Sequence, residues 1–235
     1  AHGQGDRFNL VCAHDQGARL RSPPEGLWSI GTGWQEGWPD SWVHAHPHAA
    51  RRIGPWLVLD GRVATDQGDW QVQDAYVPEG LLIRCVRRWT WTGTRPAEPV
   101  TLSVRWQAPG AGPRVFLPGI CHYGNPSGNR TGYGHVARYS GAPGEELLCE
   151  EHRFPMPFTS VEWTDGDRHL GAALHSLPSM TPYAPNPDQW WSLGVVPGDH
   201  GTELTLLSGP CAINGERSHV KANQRKLMRY PDAFL

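Results

Sequence analysis

The chain is predicted to be all-β: a large antiparallel β-sandwich, with very little helix. Three observations predict this. Gly (28) and Pro (22) make about a fifth of the 235 residues and recur every few positions, too often for helices of average length. Short segments alternate apolar and polar side chains with period two. Turn dipeptides separate those segments: Asp60-Gly61, Asp165-Gly166, Pro197-Gly198 and Asn214-Gly215.

In chain order, the first strand candidates are residues 56–59 and 70–76. Over 81–91, Leu81, Ile83, Cys85, Trp89 and Trp91 share one face, and Arg84, Arg88 and Thr90 share the other. A turn follows at 93–99. Over 101–106, Leu102, Val104 and Trp106 share one face. The two segments read as an antiparallel hairpin with one buried side, so Ile83, Cys85, Trp89, Leu102, Val104 and Trp106 are expected to be buried together. Arg84, Arg87 and Arg88 form the densest basic group, read as Arg stems laid over a sheet face. Further strands are expected at 159–163, 170–175, 190–196 and 203–208. The only helix drawn is 220–228.

No linker or repeat divides the chain, so residues 1–235 read as a single β-sandwich domain. The Pro-rich stretch 178–187 is too short for a tether. The apolar ending at 230–235 reads as a cut from a longer enzyme, because termini are usually polar and frayed; the competing reading is a docked C-terminus.

A formal net charge of -2 leaves no electrostatic footprint for nucleic acid. No run approaches bilayer length, and no membrane partner is expected. The five cysteines show no CxxC spacing, which argues against a structural zinc module and for small buried thiols, with one disulfide open.

The chemistry concentrates in two Gly- and Pro-rich segments, 116–132 and 150–158. They carry His122, Tyr123, Asn125 and Arg130, then Glu151, His152 and Arg153. Loops this dense in hydrogen-bonding groups are where sites sit. The chain also holds 12 Trp against 6 Tyr and 5 Phe, and aromatic platforms beside such groups suit a sugar's C–H face and hydroxyls. Trp34, Trp38 and Trp42 recur at intervals of four, but Gly33, Gly37 and Pro39 oppose a helix, so an extended aromatic segment is expected. His44, His46 and His48 alternate and could chelate a metal. No further ligand or supporting shell is identifiable, so packing and hydrogen bonding are preferred and no metal or cofactor is expected.

Segment 124–130 lacks the Gly-Lys-Ser/Thr ending of a phosphate loop. Glu150 and Glu151 are neighbours that a strand would point to opposite sides, so at most one serves a given site. Glu151 with His152 is the candidate acid/base pair; for Glu151, an ion pair to Arg130 or Arg153 is the alternative. No GxSxG nucleophile elbow exists.

The run from Arg87 to Gly93 (RRWTWTG) and that from Leu102 to Trp106 (LSVRW) resemble the large N-terminal β-sandwich modules of certain bacterial carbohydrate-active enzymes. Those modules have a galactose mutarotase-like supersandwich fold and precede an (α/α)-barrel catalytic domain. The resemblance implies a module of a glycoside hydrolase or polysaccharide lyase. It would support a C-terminal catalytic domain, lend loops to glycan binding, turn nothing over by itself, and be secreted or periplasmic. The alternative is a self-contained mutarotase- or epimerase-like enzyme using a His/Glu acid–base pair.

Overall fold

The computed structural model describes residues 2–4, 7–9, 11–13, 19–35, 38–95, 101–109, 114–118, 121–122, 147–150, 156, 158–175, 191–198, 201–208 and 233–234. Among these residues there is no helix, and every strand pairing is antiparallel. The chain is an all-β, sandwich-like fold.

One sheet is a meander of β7 (Ala49–Ile53), β8 (Trp56–Thr65), β9 (Gly68–Glu79) and β10 (Leu82–Trp91), edged by β19 (Ala233–Phe234). The period-two pattern explains its faces. In β9, Trp70, Val72, Asp74 and Tyr76 are buried, while Gln71 and Gln73 are exposed. The largest sheet runs β14 (Leu147–Glu150), β17 (Trp191–Gly198), β18 (Gly201–Ser208), β11 (Thr101–Ala108), β4 (Arg19–Arg21) and β3 (Val11–Ala13). The hairpin of β5 (Trp28–Gln35) and β6 (Trp38–Ala45) joins this sheet through β11. A third sheet holds β13 (Cys121–His122), β12 (Arg114–Leu117), β15 (Phe158–Asp165) and β16 (Arg168–His175). A short ribbon pairs β1 (His2–Gln4) with β2 (Arg7–Asn9).

The core lies between the faces of these sheets. Tyr76 of β9 meets Trp106 of β11 edge-on, with ring centroids 6.0 Å apart at 84°. Trp28, Ile30, Leu59, Val63, Trp70, Trp89, Leu102 and Val104 fill the same layer. Val115, Leu117 and Val161 of the third sheet join it, beside Leu193, Val195, Leu204 and Leu206.

The strands expected at 56–59, 70–76, 101–106, 159–163, 170–175 and 203–208 lie in β8, β9, β11, β15, β16 and β18, and those expected at 81–91 and 190–196 lie largely in β10 and β17. Gly166, with φ 61°, turns β15 into β16 as its Asp-Gly signal predicted. The expected 220–228 helix, the Asn214-Gly215 turn and the 178–187 stretch lie outside the described residues.

Three expectations are corrected. First, β10 does not pair with β11. Its partner is β9, from Leu82↔Glu79 to Trp91↔Trp70, while β11 lies in the largest sheet between β18, β4 and β5. The segment after β10 is a crossover between sheets. Trp89, Leu102, Val104 and Trp106 are buried in one core, but they face one another across it, and Ile83 is 45% exposed. Second, Asp60-Gly61 is the middle of β8, with Asp60 opposite Gln73 and Gly61 opposite Val72. Glycine is there because the Trp28 ring lies against it: a Cβ would sit 2.3 Å from Trp28 Cζ3. Third, Arg87 does not cover a sheet face. Its side chain is completely buried. Cys85 is half-buried; the other four cysteine side chains lie outside the described residues.

Candidate functional site

A polar cluster of the described residues is built on the face of β5, β6 and β11 opposite the core, with Glu25, Trp42 and His44 at its more exposed rim. In β5, Trp28 and Ile30 point into the core, so Ser29 between them points away. Register then fixes its neighbours on β6: Ser29 stands opposite His44, and Gly31 opposite Trp42. Trp42 and His44, two residues apart, therefore share this face, and both are half-buried. On β11, Leu102, Val104 and Trp106 face the core, so Ser103, Arg105 and Gln107 belong to the polar side.

The polar groups are tied together. Ser29 Oγ and His44 Nδ1 lie 2.7 Å apart, and Ser103 Oγ donates to Ser29 O at 2.8 Å. Arg105 Nη2 donates to Glu25 Oε1 at 2.8 Å and to Gly26 O at 3.4 Å. Arg105 Nε is buried without a hydrogen bond among the described residues, its ion-pair neighbour Glu203 Oε1 standing 3.6 Å away. Arg21 Nε donates to Gln107 Oε1 at 2.7 Å. The Pro23-Pro24-Glu25-Gly26 turn brings the carboxylate here, with Gly26 N donating to Pro23 O at 3.1 Å. Gly26 adopts φ 153°, and a Cβ on it would lie 2.5 Å from Ala45 O, so only glycine lets the turn seat against β6.

Electrostatics set the protonation states. Burial pushes the His44 pKa down, the Arg105 guanidinium pushes it further, and Glu25 opposes without prevailing. The imidazole is therefore neutral at neutral pH. Burial works to raise the Glu25 carboxyl, but its own backbone hydrogen bond and Arg105 outweigh that and hold it below the ordinary carboxylate value. Arg105 and Glu203 are largely buried, and Glu25 keeps 42% of its side chain exposed. The open rim is thus a carboxylate, a neutral imidazole and an indole. Such a set accepts and donates hydrogen bonds to hydroxyls and covers an apolar face. Ser29 is completely buried, so its contact with His44 cannot serve nucleophilic attack on a substrate.

A second polar cluster sits inside the core and is closed. Arg87 Nε and Nη2 donate to the two oxygens of Asp74 at 2.6 Å each, and Nη1 donates to Ser103 O at 2.6 Å. Tyr76 Oη donates to Asp74 Oδ2 at 2.5 Å, and Trp28 Nε1 to the same oxygen at 3.0 Å. Burial alone would lower the Arg87 pKa, but Asp74 overrides it and holds the guanidinium charged; burial and then Asp74 drive the Tyr76 hydroxyl well above its ordinary value. The cluster joins β9 and β10 to β5 and β11. With Arg87 and Asp74 fully buried, it is a structural tie.

Of the residues singled out from sequence, Trp34, Trp38 and Trp42 all fall on the β5–β6 hairpin, with Trp34 opposite Pro39, Trp38 opposite Gln35 and Trp42 opposite Gly31. The expected extended aromatic segment is this hairpin. His122 is in β13, paired with Phe116. Tyr123, Asn125, Arg130, Glu151, His152 and Arg153 lie outside the described residues. Among the described residues, buried His46 Nδ1 has no hydrogen-bond partner. Among the described residues, no group of three or more His, Cys, Asp or Glu is placed to hold a metal. Sequence reasoning missed Glu25 and Arg105. The available signal was Arg105 alternating out of phase with Val104 and Trp106. No family model, curated protein or solved structure matches the chain.

Proposed function

We propose that the chain is a carbohydrate-associated β-sandwich module of a secreted or periplasmic glycoside hydrolase or polysaccharide lyase, one that supports a catalytic domain and contributes to glycan binding. One observation carries the reading: Trp42 and His44 lie on one face of β6, beside the Glu25–Arg105 pair and backed by Ser29. An indole supplies apolar area to a sugar ring, while fixed planar donors and acceptors meet its hydroxyls at low entropic cost. Among the described residues, this face does not present the carboxylate pair that bond cleavage would use. Glycoside hydrolysis uses two positioned carboxylates with room for a sugar between them. Here Glu25 is neutralised by Arg105, and Glu203 is largely buried beside the same guanidinium.

The test is calorimetric titration with cello-, xylo-, chito- and galacturonate oligosaccharides, with parallel assays of hydrolysis and of anomer exchange on free aldoses. Weak binding to at least one glycan is expected, weakened by Trp42→Ala and by Glu25→Gln, with no turnover. Binding to none of them, or binding indifferent to both substitutions, overturns the reading. Robust turnover or accelerated anomer exchange replaces it with the self-contained mutarotase- or epimerase-like enzyme.

A further inference from the structure

We propose that the two hairpin tips of the β7–β10 meander dock the protein on an anionic lipid bilayer surface. Register places both tips at the same end of the sheet. The last β8–β9 pair is Leu57↔Tyr76, and beyond it both hairpins turn, at Gly54-Pro55 and at Gly80-Leu81. Strand β9 continues past Tyr76 to Glu79, so the β9–β10 tip projects roughly 10 Å beyond that pair.

This projecting end is apolar. Leu81 is 82% exposed, Leu82 69%, Ile53 54% and Ile83 45%. Of the six large hydrophobic side chains exposed among the described residues, these four and Val86 lie on the two hairpins; only Met156 lies elsewhere. Singly exposed apolar residues need no explanation, but a cluster at one protruding end does. Pro55 and Pro78 beside them are exposed too.

Charge selects the occupant. Just behind the tips stand Arg51, Arg52 and Arg84, all exposed, and the only acid within 51–57 and 77–84 is Glu79. Glu79 meets Arg84 at 3.3 Å, and Arg51 pairs with Asp60. Arginine stems lie along apolar surface while their guanidinium groups reach a polar layer. Trp56, half-buried and paired with Ile53, stands where an indole would sit among lipid headgroups. Leucines at the tip, then indole and guanidinium groups, match acyl chains beneath an anionic headgroup layer. A second copy fits less well. Among the described residues, strand β7 is the outermost strand of its sheet, and antiparallel pairing of two β7 edges would set Arg51 and Arg52 against their own kind. No spanning segment is required, so the lack of a bilayer-length run does not bear on this contact.

The experiment is co-sedimentation of the whole chain with vesicles of phosphatidylcholine containing about one quarter phosphatidylserine, and with pure phosphatidylcholine vesicles. Binding to the anionic vesicles is expected, falling with added salt and weak on the neutral ones. Leu81→Ser with Leu82→Ser should cut partitioning by about tenfold or more. Arg52→Ser with Arg84→Ser should cut the anionic preference. All four side chains are exposed, so unchanged thermal midpoints are expected and serve as the folding control. Failure to bind anionic vesicles, or binding by both double variants unchanged from that of the wild type, overturns the proposal. So does a concentration-dependent dimer, seen by sedimentation velocity and abolished by the leucine substitutions, which would assign the tips to a second copy.

Discussion

Arg87 and Asp74 meet through two hydrogen bonds of 2.6 Å each at a place where neither side chain has any exposed surface. Removing one partner strands the other charge away from water. Asp74→Ala and Arg87→Ala are each expected to cost about 3–5 kcal/mol in urea unfolding. Arg87→Met combined with Asp74→Leu should cost far less than the sum of the two single changes, because no charge is left unpaired. Strict additivity would show that the pair is not energetically coupled.

Gly61 tests the packing of the β5 aromatic against β8. An added Cβ would stand 2.3 Å from Trp28 Cζ3, and Trp28 cannot swing away without losing its bond to Asp74. Gly61→Ala should destabilise by about 1–3 kcal/mol. Gly171 offers the control: its nearest neighbours lie 3.7 Å away, so Gly171→Ala should be tolerated. Equal thermal midpoints for the two variants would contradict the Trp28 placement.

Acidification should weaken the fold in two steps. His44 folds with its pKa below the ordinary 6.5, so below that pH the unfolded chain binds the extra proton more readily. Stability therefore falls as pH drops from 6.5 through the folded His44 value. Glu25 folds below 4.5, and its contribution is lost as pH falls from there through its own folded value. His44→Gln should flatten the urea midpoint in the upper window and leave the lower one intact. An upper window unchanged by that substitution would exclude His44 as the titrating group.

Trp89 and Trp106 are buried, at 0% and 5% exposure, in facing sheets. Trp89→Ala or Trp106→Ala should cost about 3–5 kcal/mol, and Trp106→Ala also removes the edge contact to Tyr76. Retention of the wild-type urea midpoint by either variant would place that ring outside the core.

The sequence made the strands of the core legible, because Trp89, Val104 and Trp106 repeat with period two wherever one face is buried. It did not reveal which strands pair. Segments 82–91 and 101–108 are neighbours in sequence and alternate alike, and nothing local tells a hairpin from a crossover. Arg87 escaped because a charge is expected outside unless partnered. Its partner Asp74 becomes visible only when β9 and β10 are aligned and both residues prove in phase with Tyr76 and Trp89. Asp60-Gly61 has turn chemistry, yet the demand for glycine comes from Trp28, a residue remote in sequence. At the polar face, the aromatic hairpin was legible from Trp34, Trp38 and Trp42. Glu25 was not, because its place depends on a turn seated against β6 and on an arginine in β11.

The pairing of β11 bears on how the chain leaves the ribosome. Its neighbour β5 is made earlier, but its other long edge waits for β18, with Val104 opposite Leu206. The β7–β10 meander, built from consecutive hairpins, can close first. Through the synthesis of everything between residues 108 and 201, Leu102, Val104 and Trp106 belong to a strand with one bare edge. That interval is when the nascent protein is most open to wrong partners, and a chaperone that holds extended apolar segments would find its substrate there.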